Sequence, residues 1–139
     1  MTARLVLLRR SIAEGAVRGA VGVFIMTAWE WSSRGLGFPR SLDWIVNEWV
    51  ARSVPLAFVI HIGVGVLGGV FFEVLWPRSI PRVTFAAAYA FALQVLLLAL
   101  AVFLVPLTLT LVAGSVIGHV AYALGLGLCP VRLRRVSDI

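Results

Sequence analysis

The residues that could carry chemistry in this sequence are few, and several lie inside apolar segments. His119 and the single glutamine, Gln94, lie at nearly equal distances on either side of Pro106. In a helical hairpin that turns at this proline, both side chains would reach the same depth of a membrane. We expect a hydrogen bond between them, since an unsatisfied polar group at that depth is costly. The functional alternative is a proton relay or a ligand site.

Two more polar pairs are expected at other depths. His61 follows Pro55 closely, and this spacing places it near the depth of Glu30 on the preceding apolar segment. The pair would be a structural contact or a protonatable site. Toward the opposite end of the same two segments, Arg18 and Glu73 fall at compatible depths and predict an ion pair.

A cofactor or a catalytic centre is not expected. His61 and His119 are the weak candidates for binding haem b, but helical rise separates their predicted depths by roughly 10 Å. The sequence contains no plausible Ser–His–Asp or Cys–His set, no phosphate-binding loop and no cluster of metal ligands. These observations predict a non-catalytic protein without a metal site.

The composition excludes a soluble globular domain. The chain has 139 residues, of which 61% are hydrophobic and 13% charged, and its mean hydropathy is +1.03. Ordinary soluble domains are about 45–50% apolar and about 25% charged. The net charge is +6, but the basic residues, all arginines, separate apolar runs, so we expect membrane lipids and no nucleic acid as partners.

Four segments have the length of a membrane-spanning helix, which needs about 20 apolar residues. They cover residues 12–34, 55–76, 82–105 and 107–129 of a single membrane domain over 1–139. The first start rests on the capping-box spacing of Ser11 and Glu14. The sequence therefore predicts an all-α membrane protein, a bundle of four transmembrane helices.

The loop between the first two segments contains a fifth pattern. Apolar residues recur at helical spacing over 42–52, which predicts a short amphipathic helix lying in the outer interface. Its apolar positions are Leu42, Ile45, Val46, Trp49 and Val50.

The distribution of arginine predicts the orientation. One side of the bundle collects most of the arginines: Arg4, Arg9, Arg10, Arg18, Arg78, Arg82, Arg132, Arg134 and Arg135. The positive-inside rule then places both termini in the cytoplasm of a prokaryotic cell, with the protein in its cytoplasmic (inner) membrane.

Small residues four positions apart occur in every segment. In lipid, helices associate through close backbone approach rather than through the hydrophobic effect. These residues would pack the bundle internally, or one stripe would dock another subunit. The glycine positions are Gly15, Gly19, Gly65, Gly69, Gly114 and Gly118.

A short internal sequence similarity predicts two tandem helical hairpins. His61-x-Gly63-x-Gly65 and His119-x-Ala121-x-Ala123 both lie on the second helix of a hairpin. With Gly15-Ala-Val-Arg-Gly-Ala-Val-Gly22 and Gly118-His-Val-Ala-Tyr122, the chain resembles the small four-helix inner-membrane proteins of the YagU-like kind. This resemblance implies a fold rather than an activity.

These observations favour a non-catalytic accessory or structural subunit of a larger membrane complex, such as a respiratory or other energy-converting one, with other integral membrane subunits as partners. The first alternative is a small homo-oligomeric transporter or channel. The second is a haem- or quinone-binding membrane subunit.

Overall fold

The computed structural model describes residues 2–37, Ile45 and residues 51–131. Over these residues the chain is all-helical, and each of its four helices is long and apolar enough to cross a membrane. The helices are α1 (Thr2–Gly35), α2 (Val54–Leu75), α3 (Arg82–Ala101) and α4 (Leu109–Leu128). The predicted fold, a four-helix bundle of a multi-pass membrane protein, is confirmed.

Two boundaries differ from those read in the sequence. α1 begins at Thr2, so the start near residue 12 is wrong: Ser11 lies inside the helix, and Glu14 pairs with Arg10 at 2.8 Å. α3 ends at Ala101 rather than near 105, because a turn follows it. Of the interfacial helix predicted at 42–52, only residues 45, 51 and 52 are among those that the structure describes.

The helices pack in the spatial order α2, α1, α4, α3. α1 runs antiparallel to both α2 and α4, and α4 runs antiparallel to α3. The chain thus forms two consecutive hairpins joined through α1 and α4. α2 and α3 meet near their short connection, where Phe72 packs 5.4 Å from Phe85 and 5.7 Å from Tyr89 between ring centroids.

The crossing of α1 and α2 depends on glycine. A methyl group added at Gly15 would lie 2.6 Å from the carbonyl oxygen of Gly69, and one at Gly19 would lie 2.5 Å from that of Gly65. The facing atoms are backbone, so no side chain can rotate away. These four predicted glycines pack the bundle internally, and they are not a free docking stripe.

The closest approach of α1 to α4 lies at a glycine pair that the sequence analysis missed, Gly22 and Gly125. The two glycines expected to pack α4 also face α1, at greater distance. A methyl group at Gly118 would lie 3.4 Å from Met26, and the carbonyl of Gly114 accepts a hydrogen bond of 3.2 Å from Trp29 Nε1.

Candidate functional site

The contact predicted between His61 and Glu30 is present. His61 Nε2 lies 3.9 Å from Glu30 Oε2, and both side chains are buried. They meet because the antiparallel crossing of α1 and α2 brings the late turns of α1 beside the early turns of α2. An ionisable pair is therefore enclosed at membrane depth, where such groups are costly.

His119 belongs to the same region. It is buried, it lines the same cavity as His61, and it interacts electrostatically with Glu30 and His61. The predicted depth difference between the histidines was too large, because α4 begins only at Leu109. Counted from the observed helix starts, their heights differ by about 5 Å. We call Glu30, His61 and His119 the polar cluster.

The two histidines of the polar cluster border a cavity of about 310 Å³. This cavity lies along the seam between α2 and α3, at the level where the two helices have diverged from their connection. Its lining is apolar except for the two histidines and Tyr122: Val23, Met26, His61, Val64, Gly65, Gly68, Leu93, Leu96, Leu97, Leu100, His119 and Tyr122.

Two tyrosines hold the seam closed at one end. Tyr122 donates to the carbonyl oxygen of Gly65 at 2.6 Å, and Tyr89 donates to that of Gly68 at 2.9 Å. Neither contact was predicted. Each hydroxyl ties α2 to a helix of the second hairpin. Gly22 leaves room for the ring of Tyr122, since a methyl group there would lie 2.8 Å from Cδ2, and Gly68 leaves room for its hydroxyl, 2.7 Å from an added methyl group.

The hydrogen bond expected between Gln94 and His119 is not formed: Gln94 contacts the side chain of Ser115, and His119 contacts its backbone carbonyl. Ser115 Oγ donates to Gln94 Oε1 at 3.0 Å, while His119 Nδ1 lies 3.1 Å from the Ser115 carbonyl oxygen. Gln94 Nε2 has no hydrogen-bond partner among the described residues. Ser115 was missed because a serine inside a helix usually bonds to its own backbone.

A second cavity, of about 370 Å³, lies on the α3–α4 face of the bundle. Gln94 and His119 are its polar lining residues. His119 therefore borders both cavities, whereas Gln94 and Tyr122 border different ones.

The ion pair predicted between Arg18 and Glu73 is present at the opposite end of the bundle. Arg18 Nε lies 3.5 Å from Glu73 Oε2, and both side chains are almost completely buried. Arg18 also donates to the backbone carbonyl oxygens of Cys129 and, at 2.8 Å, Val131. Its three contacts connect α1 to α2 and to the end of α4.

The polar cluster does not have the arrangement of a metal centre. Within the described ranges, no three His, Cys, Asp or Glu residues are grouped so that they could hold a metal ion. His61 Nε2 faces the Glu30 carboxylate, which is not the presentation expected of an axial haem ligand. The cluster can instead exchange protons and form hydrogen bonds, as histidine and carboxylate groups do.

Comparison with known proteins adds no functional information. No protein-family model, curated protein or solved structure matches this chain. The YagU-like resemblance remains a prediction, and function has to be argued from the polar cluster and its cavity.

Proposed function

We propose that this protein binds a small lipophilic molecule with a polar head group, of the quinone class, in the cavity between α2 and α3. The observation that carries this proposal is the cavity itself: two buried histidines from different helices line an otherwise apolar space at membrane depth. Binding sites for small molecules characteristically combine apolar walls with a few convergent polar groups.

The position of the cavity supports entry from the bilayer. Its rim includes Val64 and Leu96, whose exposed fractions are 60% and 59%. These side chains face the hydrocarbon, so an apolar tail can remain in the lipid while the head group occupies the seam. A molecule that partitions into lipid reaches this site without crossing a polar barrier.

The chemistry of the lining supports a carbonyl- or hydroxyl-bearing head group. Histidine donates or accepts a hydrogen bond according to its tautomer. The Glu30 carboxylate, 3.9 Å from His61, can compensate a positive charge on that histidine. A volume of about 310 Å³ lies at the small end of ligand sites, which span about 300–1,000 Å³. This size favours a single-ring head group over haem.

The accessory-subunit role stays a prediction of the sequence. Part of its basis was the set of small-residue stripes, and the glycines of α1 and α2 are engaged inside the bundle. A ligand-binding subunit and a structural subunit are compatible, and identification of proteins that co-purify under gentle conditions tests the second role. The channel alternative also stays a prediction, and it needs a continuous path through the two cavities that His119 borders.

The test is a titration of the purified protein in lipid nanodiscs with a short-chain benzoquinone, followed by calorimetry. We expect saturable binding and an about tenfold weaker affinity for His119→Ala, the equivalent of one lost hydrogen bond. Leu93→Trp fills the cavity and should abolish binding. The control is Ala99→Trp, at an exposed position on the same helix that borders neither cavity, and it should leave binding unchanged.

Absence of saturable binding by the unmodified protein contradicts the proposal. So does binding that Leu93→Trp and Ala99→Trp affect equally, because partitioning into the bilayer would then account for the signal. Unchanged affinity in His119→Ala would show that His119 does not contact the bound molecule, and it would contradict the proposed role of the polar cluster.

A further inference from the structure

One carboxylate lies within ion-pair distance of three arginines at the end of the bundle where α2 connects to α3. Glu73 Oε1 lies 2.9 Å from Arg78 Nη1 and 3.7 Å from Arg82 Nη2, and Glu73 Oε2 lies 3.5 Å from Arg18 Nε. We call these four residues the arginine cluster. Three positive charges face one negative charge, so the cluster retains an excess of positive charge.

Trp76 fixes the two outer arginines of the cluster. The guanidinium carbons of Arg78 and Arg82 each lie 4.1 Å from the centroid of the indole ring. The ring is itself held by a hydrogen bond of 2.9 Å from Trp76 Nε1 to the carbonyl oxygen of Ile80. Stacking on an aromatic ring orients a guanidinium group, so both groups are ordered before any ligand arrives.

Hydrogen-bonding capacity remains in this arrangement. The side chain of Arg78 is 53% exposed and that of Arg82 is 26% exposed. Arg82 Nε has no hydrogen-bond partner among the described residues. Arg82 is also the first residue of α3, whose first turn contains no acidic residue and whose N-cap, Pro81, makes no side-chain cap. The positive end of the helix dipole therefore adds to the excess charge.

We propose that the arginine cluster and Trp76 bind the phosphate group of an anionic phospholipid. Arginine forms paired hydrogen bonds with phosphate oxygens, and basic sites between the ends of transmembrane helices suit charged lipid head groups. The cluster lies at the ends of two membrane-spanning helices, where a head group would lie. This site is separate from the polar cluster, and the proposal does not depend on the proposed quinone site.

The experiment measures lipid retention by native mass spectrometry. The full-length protein is released from nanodiscs of phosphatidylcholine that contain a small fraction of phosphatidylglycerol. We expect retained phosphatidylglycerol above its fraction in the nanodisc, and an about 30-fold loss of this preference in the double variant Arg78→Gln/Arg82→Gln. Arg82→Lys keeps the charge but loses the paired geometry, and it should show an intermediate loss.

The control is Arg34→Gln. Arg34 also lies over a tryptophan, 5.8 Å from the ring centroid of Trp31, but at the other end of the bundle. This variant should retain phosphatidylglycerol as the unmodified protein does. An equal loss of phosphatidylglycerol preference in Arg34→Gln would show that any arginine at a helix end has this effect, and it would overturn the proposal. Full retention of phosphatidylglycerol by the double variant would also overturn it.

A second arm of the experiment distinguishes binding of a phospholipid from binding of free phosphate. Inorganic phosphate at millimolar concentration should not displace the retained phosphatidylglycerol, because the lipid tail adds to its affinity. Full displacement would assign the cluster to soluble anions and overturn the lipid proposal. Circular dichroism verifies helicity in each variant, and if the double variant does not fold, Arg82→Lys alone decides: retention equal to that of the unmodified protein contradicts the proposal.

Discussion

Replacing Gly19 by alanine should separate the first two helices. The new methyl carbon would lie 2.5 Å from the carbonyl oxygen of Gly65 and 2.9 Å from both Cα and the carbonyl oxygen of Val66. Non-bonded heavy atoms prefer about 3.5–4.0 Å, so α1 and α2 must move apart by about 1 Å. Because the obstructing atoms are backbone, no rotamer change can relieve the contact.

The expected loss of stability follows from this displacement. A gap of about 0.5–1 Å forfeits a quarter to a half of the dispersion energy of each affected contact, and overpacking typically costs about 1–3 kcal/mol. We therefore expect Gly19→Ala to lower the free energy of unfolding by about 2 kcal/mol. The assay is reversible unfolding in mixed micelles with increasing sodium dodecyl sulfate, followed by circular dichroism.

Gly63→Ala provides the matched control on the partner helix. An added methyl group at Gly63 meets no atom of the described residues within 4 Å, so its effect should be neutral or a gain of up to about 1 kcal/mol from helix propensity. Equal stability of Gly19→Ala and the unmodified protein would refute the close crossing. An equal loss in both variants would show that glycine matters for a reason other than contact.

Three further substitutions can be measured in the same way. Glu73→Gln should cost about 3–5 kcal/mol, because it leaves the buried guanidinium of Arg18 without its carboxylate. Tyr122→Phe should cost about 1 kcal/mol through loss of the hydrogen bond to Gly65. Gln94→Leu should cost about 1 kcal/mol, because it removes the acceptor of the buried Ser115 hydroxyl; loss of an amide nitrogen that has no partner among the described residues offsets part of that cost.

Each of these predictions has its own contradicting outcome. Glu14→Gln, which removes a carboxylate from the partly exposed Arg10 pair, should cost less than about 1 kcal/mol; a loss equal to that of Glu73→Gln would deny the special role of burial. A neutral Tyr122→Phe would mean that the phenol ring packs without a useful hydrogen bond. A stabilising Gln94→Leu would mean that the hydrogen bond from Ser115 contributes less than burial of the amide nitrogen costs.

The polar pairs were predictable because a proline or charged residues in the sequence mark the ends of the spanning segments. Depth could be counted from Pro55 for His61 and from the charged flanks for Arg18 and Glu73, and antiparallel packing then placed residues of equal depth together. The same counting failed for His119, because a turn and an N-cap at Thr108 delay the start of α4. An error of a few residues in a helix start becomes several ångströms of depth.

Other features depend on the rotation of a helix about its axis, which depth does not determine. The contact of Gly22 with Gly125 and the bond from Ser115 to Gln94 require particular faces to meet. Helices that are apolar on nearly all sides give little indication of which face is internal. The prediction of the α1 start was wrong for a different reason. A capping pattern is only a local preference, and the residues before Ser11 continue the helix toward its N-terminus.

The contacts of Arg18 constrain the order in which the protein can be completed during biogenesis. Its guanidinium forms an ion pair with Glu73 in the second helix and donates to the carbonyl oxygens of Cys129 and Val131, more than a hundred residues away in the chain. Until the fourth helix has been inserted, this cation has only part of its final coordination. A nascent chain that stalls before that point therefore exposes an incompletely neutralised charge, the kind of defect that membrane quality-control proteases can recognise.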